Sequence, residues 1–146
     1  MLNIKYLQCF GLCLCLFLAS CNTVEVNSVD TTAHAIKKVT ILVNSDVVVK
    51  DFVRVLEKRI IFHGMSCYVS RDNSDKDNGY VVTYNARQSS DPTLFFTNAE
   101  LKLSFNGNVI ANAIYKMPNS KNANKFDNTE MIMNPIIDEL FAYPKE

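Results

Sequence analysis

Leu101-Lys-Leu-Ser-Phe105-Asn-Gly-Asn-Val109-Ile-Ala-Asn-Ala113 alternates apolar and polar residues on both sides of an Asn-Gly turn, the pattern of a β-hairpin. The loop length decides the register. A two-residue loop would set Phe105 opposite Asn108 and Leu101 opposite Asn112. A three-residue loop sets Phe105 opposite Val109, Leu103 opposite Ala111 and Leu101 opposite Ala113. Only the second keeps one apolar face, because a one-residue slip turns every side chain over. Strands are therefore expected over 94–105 and 109–117.

Working back along the chain, Tyr80 to Gln88 alternates with Tyr80, Val82, Tyr84 and Ala86 on one face. These tyrosines belong to the core if that face meets the helices, the favoured reading, and to a binding surface if it does not. Met65 to Arg71 alternates as well, with Met65, Cys67 and Val69 together. The polar run Asp72-Asn-Ser-Asp-Lys-Asp-Asn-Gly79 between them has a superficial likeness to a calcium loop. The count fails: from Asp72 the sixth position is Asp77 where Gly is required, and the twelfth is Thr83 where Glu is required. A solvated hairpin loop is expected there.

Val39-Thr-Ile-Leu-Val43 is nearly continuous in apolar character and reads as a central strand covered on both faces. From Val47 to His63 the residues Val49, Phe52, Val53, Leu56 and Ile60 recur at three- and four-residue steps, an amphipathic helix. Ser45 or Asp46 is the expected cap, and Gly64 ends the helix in the left-handed conformation. Asp127-Asn-Thr-Glu130 has capping-box spacing and opens a last helix carrying Ile132, Ile136 and Leu140, with Pro135 expected to kink or restart it. The order strand, helix, four strands, helix predicts one α+β domain over 38–146. Its expected form is a two-layer sandwich, βαββββα, with a mostly antiparallel five-stranded sheet, two helices on one face and a right-handed crossover from the first strand.

The first twenty residues have another character. Lys5 is followed by an apolar run from Tyr6 to Leu18 broken only by Gln8. Its length of about 13–15 residues suits a signal peptide and falls short of the ~20 that a helix needs to span a bilayer. It leads into Leu18-Ala19-Ser20-Cys21, which resembles the bacterial lipobox. The resemblance implies cleavage between Ser20 and Cys21, a diacylglyceryl group on the Cys21 sulfur and an acyl chain on its new amino group. Two chains already suffice for stable anchoring. Asn22, where Asp would favour inner-membrane retention in proteobacterial lipoproteins, implies passage to the outer membrane. Residues 21–37 read as the lipidated N-terminus and a flexible tether, whose extended length is about 50 Å.

Composition narrows the function further. Of 15 basic and 15 acidic residues, only Lys5 falls in the leader, so the remainder has a net charge of −1 and no phosphate-binding footprint; no nucleic-acid partner is expected. His34 and His63 share no ligand spacing with other residues, and no HExxH, CxxC, GxSxG or phosphate-cradling Gly-rich motif is present. No metal, cofactor or catalytic set is expected, and Asp91, Glu100, Asp138 and Glu139 stand out only as carboxylates. With Cys21 lipidated and Cys9, Cys13 and Cys15 in the leader, Cys67 remains as a lone thiol, expected in the core.

Phe52 through His63-Gly64, Tyr80-Val-Val-Thr-Tyr84-Asn-Ala86, Ser90-Asp91 leading to Ala99-Glu100-Leu101, and Asn134-Pro135 before Ile137-Asp138-Glu139-Leu140 together resemble a family of small proteobacterial outer-membrane lipoproteins of unknown function. A Trp commonly precedes the Asp in that family; Ser90 stands there in this chain. The resemblance implies a periplasm-facing protein held by its lipid anchor and brings no catalytic residues to carry over. The anchor, the tether and the absence of catalytic motifs lead to the expectation of a non-enzymatic protein that binds or supports another envelope protein. The competing expectation is an anchored small-ligand binder or hydrolase with a pocket beside the Tyr80–Gln88 strand.

Overall fold

The computed structural model describes residues 24–90, 94–117 and 129–143. The chain forms a mixed α+β domain with six strands: β1 (Val24–Asn27), β2 (Lys38–Leu42), β3 (Ser66–Ser70), β4 (Tyr80–Ser90), β5 (Leu94–Phe105) and β6 (Asn108–Lys116). Its helices are α1 (Phe52–Phe62) and α2 (Thr129–Leu140). The sheet order is β1-β6-β5-β4-β2-β3. β4, β5 and β6 form an antiparallel meander, β1 adds antiparallel to β6, and β2 runs parallel to both β3 and β4.

Two expectations are corrected. The sheet has six strands instead of five, because Val24–Asn27 within the supposed tether pairs with Ala113, Tyr115 and their neighbours on β6. Four residues are too few to show a period; the ladder partner supplies the order. The second correction concerns the polar run after β3, which is not a hairpin loop. β2 lies between β3 and β4, so residues 71–79 cross over β2, with Asn73–Asp77 wound into a short 3₁₀ helix whose start is capped by Asp72 on the Ser74 amide at 2.9 Å. Val81, pointing away from the neighbouring core residue Val82, is nonetheless 0% exposed. The crossover packs on β2 and β4.

The opening hairpin shows how both candidate registers are partly realised. Asn106 and Gly107 take φ of 47° and 81°, a two-residue turn of the primed kind that suits twisted strands. Phe105 accordingly pairs with Asn108, yet Leu103 pairs with Ala111 and Leu101 with Ala113. The ladder shifts register between Leu103 and Ser104. This bulge absorbs the residue that a three-residue loop would otherwise hold.

Across the sheet the register lines up one apolar row after another. Val69, Ile41, Val82, Leu103 and Ala111 share one row, and Tyr84, Leu101, Ala113 and Val26 the next. Against this face one core cluster gathers Phe52, Leu56 and Ile60 of α1 with Met133, Ile137 and Leu140 of α2. α1 packs on β2 and β3, α2 on β1 and β6, and the helices on each other.

The helix ends also differ from expectation. α1 begins at Phe52, not Val47, and is preceded by Asp51 at φ 60° with no side-chain cap. Ser45 and Asp46 instead belong to a turn in which the Asp46 amide donates to Asn44 Oδ1 at 3.0 Å. Gly64 is left-handed at φ 79°, as expected. α2 runs through Pro135 without a restart; the capping Asp127 lies outside the described residues. The helix ends in a Schellman arrangement: the Tyr143 amide donates to Asp138 O at 2.8 Å and the Ala142 amide to Glu139 O at 3.1 Å, with Ala142 at φ 54°.

Candidate functional site

Leu18 to Cys21, which resemble a lipobox, and Asn22, the expected sorting residue, lie outside the described residues. The described chain begins at Val24, which already belongs to β1. Val29 follows at 4% exposure in the core and donates its amide to Leu140 O at 2.9 Å. His34 meets Tyr80 and Phe105 edge-on at 5.8 and 5.5 Å between ring centres. A stretch that reads as small and polar therefore closes one end of the core. Only two residues, Asn22 and Thr23, separate Cys21 from the sheet.

Within the Tyr80–Gln88 strand Val82, Tyr84 and Ala86 are core residues, and Tyr80, Thr83 and Tyr84 also line surface clefts. Tyr84 is 6% exposed, its ring centre 5.1 Å from that of Phe52 on α1. Its hydroxyl accepts the Asn44 amide at 3.2 Å, while Asn44 Nδ2 donates to the Tyr84 carbonyl at 3.1 Å. Tyr80 lies at the rim against Phe105.

Among the described residues a cluster of polar side chains joins the ends of the two helices. Arg59 grips Asp138 with two hydrogen bonds, Nε to Oδ1 at 2.6 Å and an Nη to Oδ2 at 2.5 Å. His63 Nε2 reaches the same Oδ1 at 2.8 Å. The His63 ring stacks on Tyr143 at 3.6 Å, and the Tyr143 hydroxyl donates to Met65 Sδ at 3.0 Å. Desolvation raises the Asp138 pKa, but the hydrogen bonds and charges of Arg59 and His63 outweigh it and hold the carboxyl below its ordinary range. Burial, helped by the Asp138 charge, pushes the Tyr143 hydroxyl up to about 12. Tyr143 is thus a neutral donor at any physiological pH. Every member of the group is spoken for by another, which makes it a clasp between helices. Sequence spacing gives no hint of it, since Arg59 and Asp138 lie on different helices.

Of the other carboxylates, Glu100 pairs with Lys102 at 2.9 Å, and Asp91 lies outside the described residues. No group of three or more His, Cys, Asp and Glu among the described residues is placed to hold a metal ion. Cys67 is half-buried on β3, against an expectation of full burial. A shallow cleft of about 420 Å³ opens beside Asn44, Arg71 and Thr83, and another of about 510 Å³ beside Thr40, Tyr68 and Asn78. Tyr68 is 66% exposed at the second, with Lys38 Nζ 5.3 Å from its ring centre.

The two ends of the sheet complete the surface. Among the described residues β3 and β1 are its outer strands, and each has one row of backbone groups with no neighbouring strand among those residues.

No protein-family model matches the sequence. No curated protein matches it either. The fold does have relatives among solved structures. The PelC dodecamer from Paraburkholderia phytofirmans superposes with a TM-score of 0.56 at 12% identity, covering 81% of this chain and 93% of that one. The L103M variant of the same PelC dodecamer gives 0.53 at 12% identity, covering 81% and 95%. At that identity the likeness is one of fold.

Proposed function

We propose that this chain is a lipid-anchored envelope protein with no catalysis of its own, held at the periplasmic face of the outer membrane and acting through assembly with other protein subunits. The observation that carries the reading is Leu18-Ala19-Ser20-Cys21 at the end of an apolar leader. The thiol of Cys21 is the nucleophile that takes the lipid, and the small residues before it admit a peptidase.

The start of β1 sharpens what such an anchor does. With β1 beginning at Val24, the link from Cys21 spans about 10 Å at full extension instead of about 50 Å. The two-layer domain then rides directly on the lipid headgroups. Assembly is supported by the likeness to a protein that forms a dodecamer, and by sheet edges at β1 and β3 that pair with no other strand among the described residues.

The deciding experiment is radiolabelled-palmitate incorporation into wild type and Cys21→Ser, followed by separation of inner and outer membranes. Label on the wild type alone, in the outer-membrane fraction, is expected. Absence of label from the wild type, or equal label on the variant, overturns the anchor. Sedimentation of the detergent-solubilised protein tests assembly; a monomer at micromolar concentration overturns that part.

A further inference from the structure

The two open edges are different strands with opposite directions. Following the ladder, β3, β2, β4 and β6 run one way and β5 and β1 the other. A second copy placed beside the first in the same orientation therefore brings its β1 antiparallel to β3, the better-bonded arrangement. Ser66 donates its amide to Lys37 O at 2.9 Å and Ser70 accepts from the Val43 amide at 2.8 Å. By the alternation of a parallel ladder, Ser66, Tyr68 and Ser70 face β2, and the N–H and C=O of Cys67 and Val69 point outward.

Side chains agree with backbone. On the face that carries the core, β3 presents Cys67 and Val69, both half-buried, and β1 presents Val24, 37% exposed, and Val26, half-buried. Each edge thus ends in a partly covered apolar pair on the same face. Neither strand contains the Lys or Pro with which exposed edges are usually blunted; Glu25 is the one charge. A step of about four residues along the strands, the kind of shear needed to close a sheet on itself, sets Val26 opposite Cys67 and Val24 opposite Val69.

We propose that β1 of one molecule pairs antiparallel with β3 of the next, so that copies of this chain join head to tail through their sheet edges. The inference rests on the self-assembly put forward above and names its surface. Because the paired edges differ, the contact is heterologous and closes into a ring where the rotation permits.

Full-length lipidated protein in detergent is the material for the test. Val69→Pro deletes an outward N–H without touching the β2–β3 ladder, so a native circular dichroism spectrum with a fall from oligomer to monomer is expected. A native-like Val69→Pro protein that sediments as the wild-type oligomer overturns the edge while leaving assembly standing. A monomeric wild type overturns both. Val26→Cys gives an independent readout, since opposed strand positions lie within disulfide reach. Mild oxidation should give a non-reducing ladder of many multiples that vanishes in Val26→Cys/Cys67→Ser. A product stopping at dimers, or persisting without Cys67, indicates an isologous contact and overturns the proposal.

Discussion

His63 Nε2 lies 2.8 Å from Asp138 Oδ1, so one carboxylate near the end of α2 holds the C-cap of α1 while also receiving Arg59 in a two-bond grip. The side chains of Arg59, His63 and Asp138 are only 14–18% exposed, which removes most of the solvent screening that makes surface pairs weak.

Asp138→Asn should therefore destabilise the domain by about 1–3 kcal/mol at neutral pH, since it takes the carboxylate charge out of a half-buried, hydrogen-bonded group. The sign of the pH effect follows from the lowered carboxyl. Its stabilisation is complete above the unfolded carboxyl value of about 4 and drains away as pH falls through the lower folded value. Urea denaturation of both proteins at pH 7 and in the acid range checks this. A gap between them that fails to narrow in acid would show that the clasp owes nothing to charge.

Ala142 holds the left-handed position of the Schellman turn at φ 54°, where a Cβ is strained. Ala142→Gly should raise stability by roughly 0.5–1 kcal/mol, seen as a rise of a few degrees in Tm. A lowered Tm would mean that the Ala methyl group packs favourably enough to outweigh its strain.

Val29, 4% exposed, lies where a flexible tether is the natural reading of the sequence. Val29→Ala should cost about 1–2 kcal/mol and Val29→Asp considerably more. Chemical denaturation measures both. Wild-type stability in both variants would restore the tether.

Burial, with a contribution from Glu57 and against a hydrogen bond from the Tyr68 amide, pushes the Cys67 thiol up to about 11. Alkylation by iodoacetamide at pH 8 should be roughly a hundredfold slower than for an unperturbed thiol near 8.5, and become ordinary in denaturant. Mass spectrometry of timed samples gives the rate. Equal rates in the folded and denatured protein would contradict the burial.

Much of the domain is written in local pattern. Leu101 and Leu103 oppose Ala113 and Ala111 because only that pairing keeps an apolar face, and burial of Val39 and Ile41 on one face of β2 and of Leu42 on the other explains why that strand is so nearly continuous in apolar character. What local pattern could not carry was partnership at a distance. Val24–Asn27 is a strand because β6 offers it a ladder, and β2 enters between β3 and β4 although the chain between those strands resembles a hairpin loop. The Arg59–Asp138–His63 clasp is hidden for the same reason. Its members are ordinary polar residues on or at the end of two helices until packing brings them together.

β1 pairs Val24 with Tyr115, and the Val29 amide just beyond it waits for Leu140 O. The earliest part of the domain to be synthesised can find its place only after nearly the last part exists, and such distant pairings are the slow ones to form. Completion of the sheet therefore waits for β6. A product cut short before α2 would keep the β1–β6 ladder but lose the Leu140 carbonyl that takes the Val29 amide and the helix that covers β1 and β6.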